Sequence, residues 1–366
     1  MKVLILSCNT GQGHNSAAAA VKEALEERGA ICEILDPLTF ASRRSASRAT
    51  GVYEGLTRRV PRLCGAIYKA GDWYSSSPLP SPVYYANSRY AAKLLRYLRE
   101  NRFDAVVCTH LFAMEALTAI RKKYGMPIPC HFVLTDYTCV PFFAETRADS
   151  YFIPVGLREE MVKKGLPPER ILETGIPIDA KFGRKISKEA ARRILGLPAD
   201  KPMLLLMSGG VGCGNLVPIC HRLLEQGEGD FTVCVLTGRN EKLRQRLTER
   251  ISDPRVKTVP FTKKADLYMR ACDVMISKPG GLTTTEAAAL HTPLVGLIAY
   301  PGNETINARY FCDRGMALCA DSAAEAAKAA WGLVRCPEKA QAMKENQARQ
   351  IPADAAGKIA ERVMPS

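Results

Sequence analysis

Residues 278–290, Lys-Pro-Gly-Gly-Leu-Thr-Thr-Thr-Glu-Ala-Ala-Ala-Leu, bring together groups suited to holding a phosphorylated diol. The apolar run 273–277 before them reads as a buried strand ending in a turn, and two glycines then open a helix. A helix N-terminus offers unpaired N–H groups and the positive end of the macrodipole, so it suits a phosphate. Gly280 and Gly281 lack a Cβ where a phosphate would meet backbone. Lys278 and Thr284 flank that point, and Glu286 further along can accept hydrogen bonds from a vicinal diol such as a ribose. Phosphate at the helix tip and diol beside the carboxylate together describe a nucleotide.

Three more glycine turns follow apolar runs, at the carboxyl ends of strands where open α/β sheets bind ligands. Residues 207–214, Met-Ser-Gly-Gly-Val-Gly-Cys-Gly, supply backbone N–H groups that could face a diphosphate, with Ser208, Gly209 and Gly210 the candidates. Residues 9–16, Asn-Thr-Gly-Gln-Gly-His-Asn-Ser, match neither Gly-x-Gly-x-x-Gly nor a Walker loop. Their distinguishing residue is His14, beside Gly13 at a helix start, where an imidazole titrating near neutrality suits a general base. In residues 300–307, Asn303 and Glu304 form a compact donor/acceptor pair for sugar hydroxyls, with an ordinary helix cap the competing reading of Asn303.

Weaker candidates surround these turns. His110, in Cys-Thr-His-Leu, either lines the same edge or is a satisfied structural histidine. Thr135 and Asp136 end another strand and could position an acceptor or pair with His14. Phe261 could border a base, with core packing the alternative. His131, His221 and Glu115 receive no chemical role.

The elements that must position these residues alternate strand and helix almost throughout, which predicts α/β architecture with two doubly wound parallel sheets facing across a cleft. Expected strands are 3–6, 31–35, 105–108, 131–134, 150–153 and 170–174, then 203–207, 231–236, 256–259, 274–276 and 294–297, with a first helix at 16–28. Residues 1–178 form the first expected domain and 179–351 the second, with a helix near 352–366 packing back on the first. A polar, basic and aromatic insertion occupies residues 41–100, and the chain from about residue 320 reads as helical.

Bulk properties narrow the class. The 366 residues suffice for two domains, and the net charge of +14 points to an anionic partner. Nothing resembles a zinc finger, an RNP motif or a helix-turn-helix, so no nucleic-acid partner is expected. The 13 cysteines are irregularly spaced with no Cys-x-x-Cys, which predicts reduced thiols and neither a disulfide framework nor a structural zinc. No apolar run is long enough to span a bilayer, and the N-terminus does not read as a signal peptide. Residues 41–90 combine seven arginines with Trp73, Tyr74, Tyr84, Tyr85 and Tyr90, a composition suited to an anionic membrane interface or, alternatively, a solvated basic loop. A cytoplasmic protein held peripherally at the inner face of the cell membrane is the expectation.

The motifs Gly11-Gln12-Gly13-His14-Asn15-Ser16-Ala17, Thr109-His110, Thr135-Asp136, the Gly209–Gly214 loop, Lys278-Pro279-Gly280-Gly281 with Glu286, and Gly302-Asn303-Glu304 together resemble one family over nearly the full length. It is the monogalactosyldiacylglycerol synthase and processive diacylglycerol glucosyltransferase group within glycosyltransferase family 28. The resemblance implies a GT-B fold, UDP-glucose or UDP-galactose held by the second domain, and a glycerolipid acceptor approaching the first. It implies His14 as catalytic base, Glu286 as ribose ligand, Asn303 and Glu304 as sugar contacts, and inversion in a single displacement. No Asp-x-Asp motif is present to hold a divalent cation, and neither metal nor cofactor is expected. Where many of that group follow Thr-Asp with a histidine and a tryptophan, this chain has Val140 and Phe143. A transferase with another acceptor, a UDP-sugar epimerase and a non-catalytic UDP-sugar sensor stand as rival readings.

Overall fold

The computed structural model describes residues 1–9, 12–41, 79–207, 216–298 and 303–364. The loop residues Ser208, Gly209 and Gly210, and residues 42–78 of the insertion, lie outside them. The chain divides into two compact units, one comprising Met1–Ala180, Pro301–Asn303 and Asp354–Ser366, the other Lys181–Tyr300 and Glu304–Ala353.

The first unit is a six-stranded sheet of β1 (Lys2–Leu6), β2 (Ile31–Leu35), β3 (Ala105–Cys108), β4 (Cys130–Val133), β5 (Ser150–Ile153) and β6 (Ile171–Glu173), in the order β2-β1-β3-β4-β5-β6. The pairings are all parallel. Every residue of β3, β4 and β5 is buried, as the near-continuous apolar runs of strands covered on both faces require. Edge strand β2 is only partly covered instead, and exposes Ile31 and Ile34. The second unit repeats the plan with β7 (Met203–Met207), β8 (Thr232–Gly238), β9 (Val256–Pro260), β10 (Val274–Ser277), β11 (Leu294–Leu297) and β12 (Leu318–Ala320), ordered β12-β11-β10-β7-β8-β9.

Both orders contain a reversal. In the first sheet the chain runs from β1 outward to β2, then crosses back to lay β3 on the other side of β1. In the second, β10 crosses back past β7 in the same way. Such switch points leave a crevice at the carboxyl ends of the two adjacent strands. The register pairs Leu6 with Cys108, so the chain leaves β1 and β3 side by side, at Ser7 and Thr109. It pairs Ser277 with Met207, so β10 and β7 likewise end side by side.

Several expectations need correction. The first helix spans Gln12–Glu27 and so begins four residues earlier than its alanine run suggests, which puts His14 inside its first turn. The later part of the insertion is helical: Pro82–Ser88, which buries only Asn87, then the core-packed Ala91–Asn101, whose Ala91, Leu94, Leu95 and Leu98 form one buried stripe at helical spacing. Tyr90 belongs to that core and not to an interface; it is buried and its hydroxyl donates to Asn87 Oδ1 at 2.6 Å. Strand β12, just ahead of the helix expected from about residue 320, is not among the expected strands, because a three-residue strand beside an alanine-rich helix carries almost no periodicity. Finally, Cys312 and Cys319 are joined in a disulfide, against the reading of the cysteines as thiols. They lie at the end of one helix and in the strand after it, a pairing that spacing alone does not reveal.

Each unit has its own apolar core. That of the first collects Val3 and Ile5 of β1, Val21 and Leu25 of the first helix, and Ile359, Ala360 and Val363 of the last helix, Ala355–Val363. That of the second is built on Leu204, Leu206, Val233, Val274 and Val295, capped by Trp331.

Candidate active site

The loop after β1 is knitted by its own polar side chains before it delivers His14. Ser7 Oγ donates to Asn15 Oδ1 at 2.6 Å, Asn15 Nδ2 donates to Asn9 Oδ1 at 2.8 Å, and the Asn9 N–H donates to Asp36 at 3.2 Å. The His14 ring is then fixed by neighbours across the switch point. Its Nδ1 lies 2.8 Å from the Thr109 carbonyl oxygen and 2.9 Å from Thr135 Oγ1. Thr109 Oγ1 donates to the His14 carbonyl at 3.1 Å, closing a reciprocal tie between the first helix and the end of β3. A carbonyl can only accept, so Nδ1 carries the proton and the basic lone pair resides on Nε2.

The electrostatics favour the neutral ring. Burial holds the His14 pKa below its ordinary value, while the Asp136 carboxylate and the Thr109 carbonyl oppose the shift without cancelling it. Asp136 thus acts on the imidazole through its charge, while the contacts at Nδ1 come from Thr109 and Thr135. His110 stands edge-on to His14, with ring centroids 4.6 Å apart. Its Nδ1 accepts from the Phe112 N–H at 3.2 Å, capping the helix Leu111–Tyr124. Burial, and then the His14 charge, push the His110 pKa well down, so the two rings disfavour protonation of one another. His131 lies at the start of β4, away from this edge, and burial lowers it to about 4. Glu115 is wholly buried in the Leu111–Tyr124 helix.

In the second unit the helix Gly281–Ala289 starts directly after the β10 turn, with Gly280 as its N-cap. The Thr284 N–H donates to the Gly280 carbonyl, so the N–H groups of Gly281, Leu282 and Thr283 precede the first bond of the helix. Among the described residues, a Cβ built on Gly280 would meet no atom within 4 Å. The threonines divide by face. Thr284 and Thr285 are buried and return their hydroxyl protons to the Gly280 and Gly281 carbonyls at 2.9 and 2.6 Å. Thr284 therefore stiffens the first turn. Thr283, half-buried, shares its face with Glu286 three residues on and was not singled out from sequence.

Glu304 stands in the first turn of the helix Asn303–Asp313, of which Asn303 is the first residue. The Glu304 carboxylate pairs with Lys278, drawing two separate sequence motifs together. Phe261, just after β9, is 51% exposed with the Arg239 guanidinium 4.9 Å from its ring centroid, so the core-packing alternative is excluded. Thr109, quoted in a motif but given no role of its own, and Arg239 are the other residues whose part the sequence did not assign. The first acts largely through a backbone carbonyl, which no residue type encodes, and the second meets Phe261 only because β8 and β9 are neighbours. Phe143, at the position that departs from the group's pattern, is wholly buried against Phe132 and Tyr151 and belongs to the core. Among the described residues no group of three or more His, Cys, Asp or Glu could hold a metal ion.

Two parallel α/β units, each with candidate polar residues at the carboxyl edge of its switch point, define the GT-B class of glycosyltransferases. Two family models tile the chain: monogalactosyldiacylglycerol (MGDG) synthase matches residues 14–178, and the glycosyltransferase family 28 C-terminal domain matches residues 205–363. The first half of the chain thus matches the monogalactosyldiacylglycerol synthase family, and the second half matches glycosyltransferase family 28. Similar curated proteins include the processive diacylglycerol beta-glucosyltransferase of Bacillus mycoides (strain KBAB4), 29% identical over 379 residues that cover 99% of this chain and 93% of the relative. That of Bacillus cereus (strain 03BB102) is 28% identical, with 99% and 93% covered. Solved structures of like fold include MurG of Acinetobacter baumannii, with a TM-score of 0.67 at 15% identity and 99% of each chain covered. The UDP-GlcNAc 2-epimerase of Neisseria meningitidis bound to UDP-GlcNAc gives a TM-score of 0.63 at 14% identity, again covering 99% of both chains.

Proposed function

We propose that this chain transfers a hexose, with inversion, from UDP-glucose or UDP-galactose to a glycerolipid acceptor, diacylglycerol or a glycosyl-diacylglycerol. The observation that carries the reading is His14, held as the Nδ1–H tautomer by the Thr109 carbonyl and so left with a basic Nε2 at a sheet switch point. Nε2 takes the proton of the acceptor hydroxyl as that oxygen attacks the anomeric carbon. The bond from that carbon to the diphosphate breaks, and UDP departs with the electron pair. Charge growing on the diphosphate is met by the first N–H groups of the helix Gly281–Ala289, which can serve where a divalent cation would otherwise be needed. In this reading Glu286 holds the ribose, Phe261 borders the base, and Asn303 and Glu304 read the sugar hydroxyls. His110 and Thr135 flank the acceptor side, and Ser208, Gly209 and Gly210 are read from sequence as diphosphate-binding residues.

A lipid acceptor also accounts for a surface of the first unit. Leu79, Tyr85 and Tyr124 are exposed, Lys122 Nζ lies 4.6 Å from the Tyr84 ring centroid, and Lys123 Nζ lies 5.7 Å from that of Tyr124. Amphipathic aromatics flanked by lysines favour the interface of an anionic bilayer, here the cytoplasmic face of the cell membrane. No helix among the described residues is long and apolar enough to cross a membrane.

The test is to incubate the protein with UDP-glucose or UDP-galactose and diacylglycerol liposomes, with and without EDTA, and weigh the lipid product. A hexosyl-lipid that forms equally with EDTA present is the expected result. Release of UDP without lipid, or conversion of the UDP-sugar to an isomer, sinks the proposal.

A further inference from the structure

Lys278 stands two residues before Gly280, at the N-terminal end of the helix Gly281–Ala289. A cation there opposes the positive end of the macrodipole, so local helix energetics disfavour it. Glu304, by contrast, is favourably placed in the first turn of its own helix. Their side chains form an ion pair, with Lys278 39% and Glu304 33% exposed. Pairs this open to solvent contribute little to folding.

The backbone around them is held by other means. Asn307, fully buried, donates from Nδ2 to the Pro279 carbonyl at 3.3 Å, tying the turn after β10 to the helix Asn303–Asp313. Beneath both runs β11, where a Cβ on Gly296 would lie 3.6 Å from Pro279 Cβ and 4.0 Å from Ala308 Cβ. The two segments are therefore fixed by packing and by a buried hydrogen bond. The ion pair is left to fix the rotamer and the charge of Glu304.

We propose that Lys278 is a positioning residue: it holds the Glu304 carboxylate in one orientation toward the donor hexose and neutralises it beside the diphosphate subsite. The inference rests on the donor-site reading above. A carboxylate that accepts from sugar hydroxyls must stay ionised and still, because misdirected acceptors lose both strength and selectivity. Unneutralised, the same carboxylate would repel the diphosphate bound at the neighbouring helix tip. Lys278 answers both requirements from one position.

Calorimetric titration with UDP and with UDP-glucose and UDP-galactose separates the roles, because the ratio of UDP-hexose to UDP affinity isolates the sugar's share. Lys278→Met should lower that ratio for the better-bound hexose about tenfold, the scale of one lost charged hydrogen bond. UDP affinity should fall less than the ratio does. Lys278→Arg should restore the ratio, and adding Lys278→Met to Glu304→Gln should lower it no further. Equal loss of UDP and UDP-hexose affinity in both backgrounds would place Lys278 directly on the diphosphate and overturn the inference. A wild-type ratio of one, or a ratio unmoved by Lys278→Met, overturns it as well. Wild-type protein that binds no UDP at all refutes the donor-site reading, and the inference with it.

Discussion

At the scale of single residues the proposed chemistry turns on which nitrogen of His14 is basic. The Thr109 carbonyl fixes the proton on Nδ1, and burial keeps the ring neutral near pH 7. His14→Ala should therefore lower kcat about 10²- to 10⁴-fold and leave UDP affinity unchanged by calorimetry; an unaltered kcat removes the base assignment. Asp136 stabilises the imidazolium, so the sign of its removal is determined: Asp136→Asn lowers the His14 pKa further. The acid limb of the kcat/KM profile, already below pH 6.5, should move to lower pH in that variant. A limb that stays in place would mean another group sets it. His14 was legible from sequence as an imidazole on a glycine turn. Its tautomer was not, because the residues that set it lie 95 and 121 positions away.

Elements carry the next level of control. The helix Gly281–Ala289 owes its candidate anion site to Gly280, whose φ of −74° suits any residue and whose missing Cβ meets no atom of the described residues within 4 Å. Gly280→Ala should leave the melting temperature within about 2 °C and weaken UDP binding at least about tenfold, since a methyl group would then occupy the phosphate's approach. Unchanged affinity would move the diphosphate elsewhere. The helix Leu111–Tyr124 shows the opposite case, an element carrying a cost. Glu115 is fully buried on it, and burial, followed by the charge of Glu145 and a side-chain hydrogen bond with it, raises its pKa to about 10. With the folded value above the unfolded one, its contribution is best below pH 4.5 and is lost as pH rises toward 10. Glu115→Gln should accordingly raise the melting temperature by about a few degrees at pH 8 and by much less at pH 5, read by calorimetry. Residue type and spacing could not say that the one acid on this helix faces the core.

At the scale of the whole molecule the chain end completes the core at its beginning. Ile359 is fully buried with Val3, Ile5 and Val21, so Ile359→Ala should cost about 2–5 kcal/mol. Hydrogen exchange should then quicken in β1 and the helix Gln12–Glu27 before it does in β7 and β10. Uniform protection loss, or none, would contradict this division of the core.

What the sequence determined by itself is what rests on near neighbours in the chain. Apolar runs located eleven of the twelve strands among the described residues to within a residue or two, most clearly where burial on both faces leaves a local signature. Glycine turns after those strands located the candidate site, because backbone approach to a ligand needs residues without side chains. Strand order, by contrast, is set by crossovers, and only the folded sheets show that β1 meets β3 and β7 meets β10. The tertiary structure likewise decided that Glu304 answers to Lys278, that Thr284 turns inward while Thr283 does not, and that Cys312 and Cys319 are bonded. Each of these depends on distances between atoms that residue types and their spacing leave undefined.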